Sequence, residues 1–78
     1  MRNNSNQEAK KGQFLELYNR ESDAIFRFCL LRVSDSEKAT DLTQDTFMRF
    51  WDVMARNSES ITHERAFLFK IARQTSSG

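Results

Sequence analysis

Proline is absent from the 78 residues and glycine occurs only at Gly12 and Gly78, so nothing between them breaks a helix from inside. The glycine-containing dipeptides that make tight hairpins are missing as well. Together these facts predict an all-α chain. Its length confines it to one domain, since separate cores need roughly 100 residues or more each. Hydrophobic residues are 38% of the chain and include seven Phe, one Trp and one Tyr, so the core has to be built from few, large side chains. A core of that size is marginal, and such a chain is expected to lean on a partner or on a longer parent protein.

Periodicity divides the chain into three helices. Residues 1–12 are polar and Asn-rich without an apolar stripe, and read as a disordered arm. From Gln13 to about Val33, Phe14, Leu17, Tyr18, Ile25, Phe28 and Cys29 recur at helical spacing, widened by Leu15, Phe26, Leu30 and Val33. This is the expected central packing element. A break follows at Ser34-Asp35-Ser36-Glu37, with Ser34 as the expected N-cap and Glu37 as its capping-box partner. The second helix, about Asp35 to Ala55, gathers Ala39, Leu42, Thr43, Phe47, Phe50, Val53 and Met54 on one side, with Trp51 at its edge. A polar loop from Arg56 to Thr62 ends in Ile61 and Thr62, a hydrophobic staple to Ala66 and an N-cap for a third helix over about His63 to Gln74. The three-helix bundle is thus expected over 13–74, with 75–78 as a tail that stops abruptly after the third helix.

Charge is balanced overall, with 12 basic and 11 acidic residues, but not locally. Residues 34–54 hold five acids against Lys38 and Arg49, whereas the third helix sets Arg65, Lys70 and Arg73 against Glu64. On the second helix Asp41, Asp45, Met48 and Asp52, flanked by Gln44 and Arg49, lie opposite the apolar side. Two readings of this face stay open, a solvated acidic surface and a docking surface for a basic partner. On the third helix a strip of Arg65, Phe69, Lys70 and Arg73 mixes cations with an aromatic ring. Such a strip can stack unpaired bases and hold phosphates, or can be an ordinary basic last turn that suits the helix dipole.

The inventory offers little else. Cys29 falls on the apolar stripe, where a core cysteine is expected rather than a nucleophile, and His63 stands alone near a helix start. One Cys and one His make neither a disulfide nor a structural zinc site, and the carboxylates lack calcium-loop spacing. No catalysis, metal or cofactor is therefore expected. A reducing, cytoplasmic compartment fits a lone thiol, the lack of a signal peptide's apolar stretch and the absence of any membrane-length apolar run.

The run Asp41-Leu42-Thr43-Gln44-Asp45-Thr46-Phe47-Met48-Arg49-Phe50-Trp51 resembles the D-L-x-Q-[ED]-x-F-x-[RK]-x-W block in region 2 of bacterial RNA polymerase sigma factors, the extracytoplasmic-function group. Phe14 to Leu31, with its F-x-x-L-Y opening, is similar to the helix before that block, and Arg65 to Arg73 resembles the R-A-W-L-[FY]-[RK]-I-A-R stretch after it. The resemblance implies a transcription initiation module in which Asp41, Gln44, Asp45 and Met48 dock on the clamp helices of the largest subunit of core RNA polymerase. It also implies that the 56–62 loop and the third helix face the promoter minus-ten element, with Arg65, Phe69, Lys70 and Arg73 toward the non-template strand. An anti-sigma factor is a further partner it allows. Two positions depart from the family pattern, Phe67 for a Trp and Gln74 for an Asn. The family's I-D-x-x-R-like continuation of the third helix and its minus-thirty-five-reading domain do not follow, so the third helix is read as truncated and promoter recognition by this length of chain as poor. The alternative is a small helical protein-interaction domain that uses the acidic face of the second helix and binds no DNA.

Overall fold

The computed structural model describes residues 3–56 and 63–76, with side chains from residue 9 onward. Three helices follow one another, α1 over Asn3–Val33, α2 over Ser36–Arg56 and α3 over Glu64–Ser76, and each packs against the other two. The described residues contain no strand. The all-α three-helix bundle expected from the sequence is the fold observed.

Helix α1 starts ten residues earlier than its apolar stripe. Residues 3–12, expected to be an irregular arm, continue the helix in unbroken register. Adding a residue to an existing helix fixes one pair of dihedrals for one hydrogen bond, so a helix nucleated and packed from Gln13 onward extends into a polar segment that holds no proline. At its other end α1 stops on Ser34, whose φ of 54° is left-handed and whose N–H donates to the Leu30 carbonyl at 2.8 Å. This is the single-bond left-handed cap that glycine usually provides.

Ser34 is therefore the C-terminal stop of α1, not the N-cap of α2. The N-cap is Asp35. Its Oδ1 accepts from the N–H groups of Glu37 at 3.0 Å and Lys38 at 3.2 Å, and its carbonyl accepts the first helical bond, from Ala39, at 2.8 Å. A left-handed residue directs the chain back on itself, so the capping position moves one residue along. The expected Thr62 cap and Ile61 staple lie outside the described residues. In α3 the first helical bond, from the Phe67 N–H, goes to the His63 carbonyl at 3.0 Å.

The core forms where the three apolar stripes meet. Leu17, Ile25 and Cys29 of α1, Ala39, Phe47, Phe50 and Met54 of α2, and Leu68, Ile71 and Ala72 of α3 are buried. Phe50 is fully enclosed, stacked at 6.4 Å on Phe14 and tilted at 5.9 Å against Phe67, so one ring joins all three helices. Phe14 also meets Trp51 edge-on at 5.2 Å, and Tyr18 meets Phe47 at 4.8 Å. Edge-to-face and offset pairs of this kind add roughly 0.5–1.5 kcal/mol beyond the area they bury. The α2 stripe is buried as expected, with Leu42 and Val53 only half-buried and Thr46 added. The Thr46 and Thr43 hydroxyls are buried by donating to the carbonyls four residues back, at 2.7 and 2.6 Å.

The α1 stripe is narrower than its apolar residues suggest. Leu15 is 49% exposed and Tyr18 38%, while the buried ladder runs Leu17, Glu21, Ile25, Cys29. A carboxylate occupies its second rung.

Candidate functional site

Two surfaces carry the residues singled out by sequence. On α2, Asp41, Gln44 and Met48 are exposed and Asp45 is half-buried, so these four share the face turned away from the core. Met48, 68% exposed, is a large apolar side chain left in solvent between carboxylates. It is not isolated. Met48 and Asp45 line an open groove together with Phe14, Leu15 and Lys11 of α1 and Trp51 of α2. The exposed Leu15 thereby extends the apolar part of the face onto α1. Asp41 borders a different, smaller groove, shared with Val33, Lys38 and the last turn of α3.

This face is less acidic than its sequence. Asp45 accepts from Arg49 Nε at 2.9 Å, and Asp52 pairs with Arg56 at 3.2 Å, both one helical turn away and both largely solvated. Among the described residues Asp41 is in no ion pair. Exposed pairs of this kind contribute only about 0–1 kcal/mol, so an approaching cation can exchange for Arg49 or Arg56 at little cost.

The second surface lies where α3 meets α1. Sequence reading placed Arg65, Phe69, Lys70 and Arg73 together on α3; Arg65, Lys70 and Arg73 are exposed there and Phe69 is half-buried. Arg65 and Phe69 are committed within the molecule. The Phe69 ring is half-buried and meets Phe28 of α1 edge-on at 5.6 Å and 89°, and the Arg65 guanidinium covers its face at 5.1 Å. Arg65 Nε also donates to Glu21 Oε1 at 2.9 Å.

Glu21 is the residue that sequence reading missed. It is 5% exposed, and its second oxygen receives Arg20 Nε at 3.4 Å. Hydrogen bonding to Arg65 holds its carboxyl below the usual Glu range, opposed by burial and assisted by Arg20. Arg20 in turn reaches Glu64 at 3.8 Å, and the Gln13 side-chain amide donates to Glu64 as well. A chain of polar contacts thus fastens the first turns of α3 to α1. The i, i+4 ladder through Leu17, Ile25 and Cys29 was the available signal: it puts position 21 in the core, where a Glu needs a cation, and Arg65 is the first basic residue of α3.

Cys29 is fully buried in the core, and burial pushes its thiol up from the ordinary value; His63 is exposed at the start of α3. Among the described residues no group of three His, Cys, Asp or Glu side chains is close enough to hold a metal ion, and no helix is long and apolar enough to cross a membrane. The arrangement offers binding surfaces.

The family model described as Sigma-70 region 2 matches residues 17–77, from the buried Leu17 of α1 through α2 and α3. Both surfaces fall almost wholly within that span. No curated protein and no solved structure matches the chain.

Proposed function

Because the chain belongs to the sigma-70 region 2 family, whose role is in transcription initiation rather than in enzymatic chemistry, we propose that it joins core RNA polymerase to promoter DNA through its two surfaces. The outer face of α2 docks on the clamp helices of the largest polymerase subunit. Asp41 and Gln44 meet basic and polar groups there, Asp45 exchanges Arg49 for a partner cation, and Met48 is the apolar anchor. The α3 side, with Arg65, Phe69, Lys70 and Arg73, faces the non-template strand of the minus-ten element and helps hold it melted. The likeness of the Asp41–Trp51 block to that of the extracytoplasmic-function group supports a role within that group. On this reading the chain works in the cytoplasm, where an anti-sigma factor competes for the same faces.

One observation carries this reading. Within the span matched by the family, Asp41, Gln44 and Met48 project into solvent while their neighbours Thr43, Phe47 and Phe50 are buried, so the side chains available to a partner are those a docking face needs. Asp41→Ala with Gln44→Ala removes two exposed groups without touching the core. Retention by immobilised core polymerase is expected to fall about tenfold, a loss of roughly 1.4 kcal/mol. Wild-type retention by the double variant would remove the docking assignment.

A second reading is favoured by the intramolecular engagement of Arg65 and Phe69. With both side chains committed to Glu21 and Phe28, the chain can act as a helical protein-interaction domain through α2 alone. Polymerase capture without binding to a minus-ten single strand at low salt would select this alternative.

A further inference from the structure

We propose that the nucleic-acid surface is a groove between α1 and α3, not the outer side of α3 alone, with Phe28 and Arg32 of α1 as its second wall and an unpaired strand as its occupant. The inference rests on the reading of α3 as DNA-facing and extends it to two residues that the α3 motif does not contain. Phe28, Arg32, Ala66, Phe69, Lys70 and Arg73 line this groove, about 360 Å³ in volume, and none of them is a carboxylate.

Two features identify the occupant. The floor is the perpendicular Phe28–Phe69 pair, and each ring is covered by a guanidinium, Arg32 over Phe28 at 5.3 Å and Arg65 over Phe69 at 5.1 Å. Rings and guanidinium planes are the platforms on which unpaired bases stack. The cations also divide into two kinds. Arg65, Arg49 and Arg56 each have a carboxylate within 3.2 Å, whereas Arg32, Lys70 and Arg73 are in no ion pair among the described residues. Lys11, Arg27 and Lys38 are in no such pair either but lie away from the groove, whereas Arg32, Lys70 and Arg73 converge on it. Helix dipoles account for basic residues in last turns, but not for their convergence from two helices onto one aromatic floor. A strand of phosphodiesters carrying bases matches both the charge and the floor. An acidic peptide matches the charge alone.

The assignment divides the labour: Arg32, Lys70 and Arg73 meet phosphates, while Arg65, already neutralised by Glu21, serves as a positioning residue that keeps its guanidinium over Phe69.

The full chain is titrated against a fluorescently labelled single-stranded minus-ten oligonucleotide over a range of salt concentrations. Arg32→Gln is expected to lower the magnitude of the log–log salt slope by about 0.7, the value for one phosphate contact on a single strand, and to weaken binding roughly fivefold near 0.1 M salt. Arg27→Gln removes an exposed α1 cation outside the groove and leaves the slope unchanged. Phe28→Leu is expected to weaken binding about fivefold or more without altering the slope, and Arg32→Gln carries the test if that variant unfolds. Should Lys70→Ala weaken binding while Arg32→Gln behaves as wild type, the α1 wall is refuted and the α3 reading stands. If the wild-type chain binds no oligonucleotide even at low salt, both fall. Displacement of the oligonucleotide by a poly-glutamate peptide at equal concentration would reassign the groove to an acidic protein partner and overturn the proposal.

Discussion

Replacing Glu21 with Gln tests whether a buried charge holds α3 on α1. The side chain keeps its shape and its place in the ladder between Leu17 and Ile25 but loses its charge. In the native protein its carboxylate, 7% exposed, takes Arg65 at 2.9 Å and Arg20 at 3.4 Å. A hydrogen bond to a charged group contributes roughly 1.5–3 kcal/mol. Both arginines are more than half exposed, and solvent screening reduces the expected loss to about 1.5 kcal/mol at neutral pH. For a domain of this size that lowers the melting temperature by about 6–12 °C.

The pH dependence makes the test specific. Glu21 titrates below its unfolded value of roughly 4.3, so its contribution is complete above that value and disappears as pH falls through the lower, folded one. Gln does not titrate. The gap between the wild-type and variant melting curves, followed by circular dichroism, should therefore be widest at neutral pH and narrow progressively as the pH falls below the ordinary carboxylate range. A gap of the same size at both ends would show that the loss is one of packing, and no gap at neutral pH would show that the Glu21–Arg65 contact holds nothing.

The connection between α1 and α2 supplies two further expectations. Ser34→Gly relieves a left-handed φ that costs an L-residue about 1–2 kcal/mol, partly offset by the greater freedom of the unfolded glycine chain, and should stabilise the fold by about 0.5–1 kcal/mol in urea unfolding. Asp35→Ala leaves the Glu37 and Lys38 N–H groups without their acceptor and should cost about 1 kcal/mol in the same assay, whereas Asp35→Asn should cost little.

Element identity was legible in the sequence because the absence of Pro, and of any Gly between Gly12 and Gly78, left periodicity as the main signal, and Phe47, Phe50, Leu68 and Ile71 fell on the stripes that it drew. The ends were less legible. Ser34 and Asp35 are both good N-caps by residue type, and only the sign of one φ angle decides which residue caps α2. The polar opening gave no sign of helix because its order comes from the packed segment that follows. Phe69 was assigned to α3's outward strip, and its half-burial against Phe28 depends on how α1 crosses α3, which no single-helix pattern contains. Glu21 was missed for a related reason: its partner is 44 residues away, and a buried carboxylate becomes intelligible only with Arg65 beside it. On α2, Asp41 and Met48 were placed correctly on the outer face, yet the pairing of Asp45 and Asp52 with arginines one turn later makes that face less negative than its composition.

Helix α1 takes part in both surfaces, through Leu15 near its middle and Arg32 at its C-terminal end. At 1.5 Å of rise per residue these lie about 25 Å apart along a single rod. That separation exceeds the width of a helix or of a single nucleic-acid strand, so a helix seated at one station does not itself cover the other. If the proposed partners take these two stations, one rod can hold both at once, with either arriving first.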